Sequence, residues 1–224
     1  MDHSLLEVEV WADFACFTRP EFKVERVSYP MMTPSAARGV LESIFWKPEF
    51  SWQVRAIHVL RPRHSSAGNN VDALSFYRHF SILRNEVSKR ATGNPIFVDD
   101  TDTRAQRHTL GLRDVAYLIQ ADIVLRPHAT DDIAKYRDQF RRRVARGQCF
   151  SRPYLGCREF ACDFAPPDGT VAMRRLRHEQ PIRLGTMLFD VIRREKGSIP
   201  LFFDAELHDG VLTVPAELYR RLNP

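Results

Sequence analysis

A lysine and a tyrosine, Lys135 and Tyr136, open the segment KYRDQFRRRVARGQCF at positions 135–150. Five arginines follow between Arg137 and Arg146. Guanidinium groups bind phosphate oxygens in pairs, and an ammonium is a compact counter-charge for the same oxygens. Asp138 is the only acid between 133 and 146, so the arginines repel one another unless an external anion relieves them. The pattern points to a polyanion. If that polyanion is RNA, it carries its own nucleophile, the 2′-hydroxyl beside each phosphate. Cleavage then needs a base, an acid for the leaving 5′-oxygen and a cation for the developing charge. A lysine, a phenol and an arginine suffice, with no metal and no serine triad.

These side chains need a helix to present them. At 100° per residue Ile133, Tyr136, Phe140 and Val144 fall within about 80° of one another, the stripe a sheet would bury. Lys135, Gln139, Arg142 and Arg146 collect on the other side, and Gly147 stops the helix. Arg142 and Arg146 are therefore candidate phosphate contacts. A solvated charged face is the competing reading. A membrane surface fits less well, because the apolar stripe is already needed by the sheet.

The elements around this helix read in order. Leu6, Val8 and Val10 alternate with polar neighbours, a half-buried strand running to about Phe17. Thr33-Pro34 offers an N-cap and a first-turn proline, and Ala37, Val40, Leu41 and Ile44 share one helical face. SWQVRAIHVLRP (51–62) reads as a strand, FYRHFSILRNEV (76–87) as an extra strand and 88–107 as a long polar connection. From 111 the alternation is clean: Val115, Tyr117, Ile119, Ala121, Ile123 and Leu125 lie on one face. The second helix spans 131–146 and a further strand 154–164. This is the split βαβ pattern of an α+β, ferredoxin-like (RRM-like) domain over residues 1–165, whose two helices cover one sheet face and leave the other available. Residues 170–224 read as a small C-terminal antiparallel β-domain, with His208-Asp209-Gly210 as a hairpin turn.

Composition excludes more than it selects. Of 224 residues 44% are hydrophobic, enough for a sizeable core, and the net charge of +5 leans toward an anionic partner. There is no run of 18 apolar residues and no signal-peptide layout, so the expectation is a cytoplasmic protein without a membrane span. Nucleotide-cradling glycine motifs, H-E-x-x-H and G-x-S-x-G are absent, so no cofactor and no metal are expected. Asp99, Asp100 and Asp102 could hold a cation, although a solvated loop explains them as well. The eight histidines are scattered, and mid-strand His58 reads as a satisfied core or edge residue. Cys16, Cys149, Cys157 and Cys162 have poor zinc spacing and read as small hydrophobes in a reducing compartment.

Several segments occur together in an order that resembles a known family. They are KVERVSYPMMTPSAARGVLESIFWKPEFSW (23–52), ILRNEVS (82–88), LRDVAYLIQADIVL (112–125), KYRDQFRRRVARGQCFSRPYLGCREF (135–160) and LGTMLFDV (184–191). Together they look like the CRISPR-associated proteins of Cas family five, subtype I-C (Dvulg), and the resemblance spans nearly the whole chain. It implies a RAMP-superfamily fold, ferredoxin-like with a small C-terminal β-domain. It also implies metal-independent cleavage of CRISPR repeat RNA near the base of the repeat hairpin. The enzyme would then stay on the 5′ handle of the crRNA, beside the backbone and large subunits of a type I-C interference complex. Duplex DNA is a further partner that the resemblance suggests.

The family's best-known site is a tyrosine in a first-helix SIYWKP segment and a Lys-His pair opening the second helix. Here the first position is Phe45, in SIFWKP, and the pair is Lys135-Tyr136. Phe45 cannot move a proton. Lys135 is the candidate cation, Tyr136 a candidate phenol or a core residue, and Tyr29 a candidate substitute for the lost tyrosine. Arg38, Lys47, Arg84, Arg142 and Arg146 are candidate RNA contacts. Trp46 could stack on a base or pack beneath the sheet. The segment 147–156 stands where RAMP proteins carry their glycine-rich loop. Three readings stay open: an endoribonuclease that keeps its product, a non-catalytic subunit capping the 5′ handle, and a duplex-DNA-binding adaptor.

Overall fold

The computed structural model describes residues 5–22, 24–61, 78–87, 104–194 and 197–222. The acidic triplet Asp99, Asp100 and Asp102 and most of the expected 88–107 connection lie outside the described residues. The chain is α+β and its sheet is mostly antiparallel. The strands are β1 (Leu6–Ala15), β2 (Arg26–Val27), β3 (Phe50–Leu60), β4 (Arg78–Val87), β5 (Arg104–Leu125), β6 (Asp163–Ala165), β7 (Ile182–Arg194), β8 (Gly197–His208) and β9 (Val211–Thr213). The helices are α1 (Pro34–Ile44), α2 (Ile133–Ala145) and the single turn α3 (Val171–Arg174), followed by a 3-10 helix at Ala216–Arg221.

The sheet runs β6-β1-β5-β3-β9-β8-β7, with β2 and β4 also paired to β5. β5 is the spine. Its second half takes β1 on one side and β3 on the other, while its first half pairs with β4 and, in parallel, with β2. The change of partners coincides with Asp114, whose φ of 52° is left-handed. Aspartate tolerates that region better than most side chains, so it can kink a strand there. The polar stretch before 111 does not alternate cleanly, which is why the sequence placed a connection where β5 already begins at Arg104. The further strand expected over 154–164 is reduced to β6 and one isolated bridge between Tyr154 and Ala161.

Both long helices form for the reasons their sequences suggest. The Thr33 hydroxyl accepts from the Ala36 amide at 3.2 Å, and Pro34 takes the first helical position. The Asp132 carboxylate caps α2 by accepting from the Ala134 amide at 3.0 Å. Gly147, at φ 62°, ends that helix, and the Gln148 amide closes back on the Arg143 carbonyl at 2.9 Å. Tyr136, Phe140 and Val144 are buried with Ala37, Val40, Leu41 and Ile44 of α1 in one core against β1, β3 and β5.

The opposite face of the sheet is not wholly open, which corrects the expectation that the two helices would leave it free. Val171 of α3 packs on Leu60, Ala116 and Leu118 there, with Trp11 beside them. Arg174 reaches the fully buried Glu9 carboxylate at 2.8 Å. Glu9 therefore sits on a strand face that alternation alone would assign to solvent, and a cation from 165 residues later makes that burial tolerable.

The C-terminal hairpin continues the same sheet, because β9 pairs with β3 as well as with β8. Its turn is where the sequence put it. Asp209 and Gly210 have φ values of 48° and 74°, and a Cβ on Gly210 would stand 1.9 Å from the Leu176 carbonyl oxygen. No helix among the described residues is long and apolar enough to cross a membrane.

Candidate nucleic-acid interface

The end of α1 and the start of α2 are brought together by aromatic packing. Phe50 stands 5.3 Å, centroid to centroid, from both Phe45 and Tyr136, and 5.6 Å from Trp52. The Trp52 indole donates to the Phe45 carbonyl at 2.9 Å, which fixes the chain where it leaves α1. The two positions singled out by family resemblance are thus neighbours through one phenylalanine, 91 residues apart in sequence.

Both of those rings are core. Phe45 and Tyr136 are each 1% exposed. Burial, helped by the carboxylates of Glu49 and Asp131, raises the Tyr136 phenol above its ordinary value; Lys135 acts the other way and is outweighed. Lys135 therefore does not make Tyr136 a phenolate. The buried hydroxyl has no hydrogen bond of good geometry among the described residues, although the Asp131 backbone is close. Tyr29 is also 1% exposed, and its phenol is raised chiefly by burial. It bonds to the Leu188 backbone and lies under Arg19 at 4.7 Å. It shares no ring contact with Phe45 or Tyr136.

The cations are placed differently. Lys135 is exposed, and its ammonium meets both Asp131 carboxylate oxygens at 2.9 Å. That hydrogen-bonded carboxylate raises the lysine pKa, so the side chain is a held cation and not a base. Lys47 Nζ lies 5.7 Å over the Tyr136 ring, close to the same helix start. His128 joins this corner by a 3.1 Å contact from Nε2 to the Pro48 carbonyl. The sequence offered no reason to separate His128 from the other scattered histidines.

Of the five arginines from Arg137 to Arg146, on α2 and its C-cap, three have internal work. Arg137 is buried and pairs with Asp122 at 3.1 Å. Arg141 meets Asp138 at 3.5 Å. Arg143 donates to the Ile44 carbonyl at 2.9 Å. Arg142 and Arg146 are exposed and have no ion pair among the described residues. The expected basic ridge is thereby narrowed to the two arginines that the helical wheel put farthest from the sheet. Arg84 lies on β4 opposite Arg107, and its side chain is outside what the structure describes.

Beside α1 lies a groove of about 780 Å³, between that helix, the 147–156 loop and β7. Arg38, Ser43, Trp46, Phe150 and Tyr154 line it. Trp46 is 54% exposed and Phe150 84%, both large apolar rings facing out. Phe150 is held there because the amides of Phe150 and Ser151 both donate to the Ser43 carbonyl, at 2.8 and 3.1 Å. Trp46 therefore does not pack beneath the sheet. Phe150 was missed in the sequence; its only signal was an aromatic ring inside a polar, glycine-bounded loop.

Arg38 differs from what its sequence position suggested. Its guanidinium forks onto Asp190 at 2.7 and 3.0 Å and bonds Glu42 at 2.6 Å. Burial disfavours its charge, but Asp190 and then Glu42 more than compensate, so the pKa is raised. One cation between two carboxylates leaves that side of the groove net negative. A phosphate is repelled there, whereas a base edge or sugar hydroxyl is suited to it.

Comparison with known proteins follows this geometry. The family model Cas_Cas5d, a CRISPR-associated protein (Cas_Cas5), matches residues 5–215. The chain is 49% identical over 235 residues to the CRISPR pre-crRNA endoribonuclease Cas5d of Thermus thermophilus, covering 97% of this chain and 94% of that protein. It is 41% identical over 219 residues to the CRISPR pre-crRNA endoribonuclease Cas5d of Mannheimia succiniciproducens, covering 94% of each. Among solved structures, a CRISPR-associated protein superposes with a TM-score of 0.64 at 20% identity, covering 96% of this chain and 93% of the other. A functionally uncharacterized protein from Streptococcus mutans superposes with a TM-score of 0.65 at 16% identity over the same shares. These two structures speak for the fold alone. With a family model matched over residues 5–215 and two relatives aligned along nearly its whole length, the chain belongs to the Cas5d family of CRISPR-associated proteins.

Proposed function

We propose that this chain is a metal-independent endoribonuclease that cuts CRISPR repeat RNA near the base of the repeat hairpin. It then keeps the 5′ handle as a subunit of a type I-C interference complex. The observation that carries the reading is the near full-length kinship with two proteins named CRISPR pre-crRNA endoribonuclease, at 49% and 41% identity. The strand order β6-β1-β5-β3 with α1 and α2 on one face supports a ferredoxin-like, RAMP-type unit over residues 1–165. Residues 170–224 form the smaller β-rich part in this proposal.

In this mechanism the 2′-hydroxyl gives up its proton as its oxygen attacks the adjacent phosphorus, the bond to the 5′-oxygen breaks and that oxygen takes up a proton, leaving a 2′,3′-cyclic phosphate and a 5′-hydroxyl. Lys135, charged and exposed, stabilises the negative charge that builds on the phosphoryl oxygens. Lys47 adds a second positive charge at the same corner. Arg142 and Arg146 hold the backbone that approaches along α2. Trp46 and Phe150 receive unpaired bases in the groove, and the Arg38–Asp190–Glu42 cluster offers hydrogen bonds without attracting phosphate.

A second reading, a subunit that caps the 5′ handle without cutting, is favoured by one observation: Phe45 and Tyr136 are both core rings. Incubating the purified chain with its own repeat RNA in excess chelator separates the two. A single cut ending in a 2′,3′-cyclic phosphate supports cleavage, and tight binding with intact RNA supports capping. Equal affinity for duplex DNA and repeat RNA would instead favour a DNA-binding adaptor.

A further inference from the structure

Two cysteines that the mechanism does not use meet where the 147–156 loop returns to β1. Cys16 follows β1 directly and is fully buried; Cys157 follows Gly156 and is half-buried. They are 141 residues apart in sequence. Cys157 Sγ lies 3.4 Å from the Cys16 carbonyl oxygen. Both sulfurs lie 3.7 Å from the same hydroxyl, Thr18 Oγ1. The backbones are locked together at this point. The Cys16 amide donates to the Leu155 carbonyl at 3.1 Å, and a Cβ on Gly156 would stand 2.0 Å from the Cys16 carbonyl oxygen. The two backbones cannot separate here without unpicking this contact.

The surroundings shift the two thiols in opposite directions. The neighbouring Cys16 thiol lowers the Cys157 pKa, and the Thr18 hydroxyl and the Arg26 charge act the same way, against burial and Glu159. Arg26 is itself held by Glu159. Cys16 is raised, first by its neighbour Cys157 and then by burial, so it keeps its proton. The other two cysteines differ. Cys162 is buried and raised to about 12 by that burial. Cys149 is half-buried and has no hydrogen-bond partner among the described residues.

We propose that Cys157 is a hydroperoxide-reactive thiol and Cys16 its resolving partner, so that oxidation joins the loop to the end of β1 by a disulfide. In the first step the Cys157 sulfur attacks one oxygen of the peroxide and the O–O bond breaks. The departing oxygen takes a proton and leaves as water or alcohol, and Cys157 becomes a sulfenic acid. In the second step the Cys16 sulfur attacks the Cys157 sulfur, the S–O bond breaks, and hydroxide leaves with the Cys16 proton as water. Two thiols are oxidised by two electrons and one peroxide is reduced. The partial exposure of Cys157 admits a small oxidant, and the burial of Cys16 restricts it to the second step.

The test uses the full chain, fully reduced, with one equivalent of hydrogen peroxide, followed by alkylation and peptide mass spectrometry. The expected product is a Cys16–Cys157 linked peptide, two hydrogens lighter than the separate thiols and reversed by dithiothreitol. Cys157 is expected to react at least about tenfold faster than Cys149, because thiolate is the reactive form. In Cys16→Ser the sulfenic acid accumulates and is trapped on Cys157 by a cyclic dione. In Cys157→Ser, Cys16 stays reduced. Oxidation of Cys149 as fast as Cys157, or of Cys157 in the unaltered chain without linkage to Cys16, would overturn the proposal. The unaltered chain alone decides this, so it survives a variant that fails to fold.

Discussion

Arg143 lies with its guanidinium carbon 5.2 Å over the ring of Phe45. The same side chain donates to the last carbonyl of α1, that of Ile44, at 2.9 Å. One residue of α2 therefore covers the Phe45 ring and closes the end of the neighbouring helix, where the helix dipole favours a cation. Arg143→Ala is expected to cost about 1–2 kcal/mol, the scale of a charged hydrogen bond with a cation–π contact. Arg143→Lys should recover only part. Urea unfolding measures both, and equal stability of the alanine variant would mean that the contact contributes nothing.

Lys135 is charged with or without RNA, since Asp131 raises its pKa. Lys135→Ala is expected to abolish cutting while weakening RNA binding less than about tenfold. Single-turnover cleavage and a filter-binding titration give the two numbers. Full cleavage by this variant would remove Lys135 from the site. Asp131→Asn lowers the lysine pKa toward its ordinary value, so cleavage at high pH should fall earlier than in the unaltered chain.

Arg142 and Arg146 are exposed without ion pairs among the described residues, so an anion meets no internal competitor. Replacing both by alanine should reduce the slope of log affinity against log salt by about 1.4 for single-stranded RNA. An unchanged slope would return both side chains to plain solvent exposure.

Trp46 and Phe150 face the groove from α1's end and from the loop. Each is expected to contribute about 1–3 kcal/mol if a base stacks on it. Trp46→Ala and Phe150→Ala should weaken repeat binding by that amount and leave unfolding midpoints nearly unchanged, because both rings are already exposed. Loss of stability without loss of binding would identify them as packing residues.

His58 links β3 to β5, with Nε2 3.0 Å from Gln120 Oε1. Gln120 in turn donates to Glu7 at 2.7 Å. Burial is the main reason its pKa is lowered; the nearby Arg175 adds to it, against Gln120 and Glu7. The unfolded imidazole binds a proton at about 6.5, the folded one only at lower pH. The stabilisation is thus complete above about 6.5 and is lost as pH falls through the folded value. Unfolding free energy should decline over that window, and His58→Gln should flatten the decline. A variant with the same pH profile would show that other groups titrate there.

The parts legible in the sequence were those written in local periodicity. The stripe of Tyr136, Phe140 and Val144, the Thr33 cap and the Asp209-Gly210 turn each depend on residues a few positions apart. What was hidden depended on distant partners. Nothing around Glu9 announces that Arg174 will come to cover it. Nothing in the scattered cysteines pairs Cys16 with Cys157. At the site, periodicity separated Arg142 and Arg146 from the buried stripe, but the wheel could not show that Arg143 turns inward to Ile44. Tyr136 was read as either phenol or core, and its burial follows from α2 packing against Phe50 from its first turn.

The reliance on β5 has a consequence for how the polypeptide is made. Every described strand ahead of it finds its ladder partners only at residue 104 or later, in β5, β6 or β9. During synthesis, β1, β2, β3 and β4 leave the ribosome before any of their ladder partners among the described strands has been made. They stay exposed to wrong partners until Leu125 has cleared the exit tunnel. A ribosomal pause ahead of that point prolongs the vulnerable interval, whereas one just after it gives the sheet time to close.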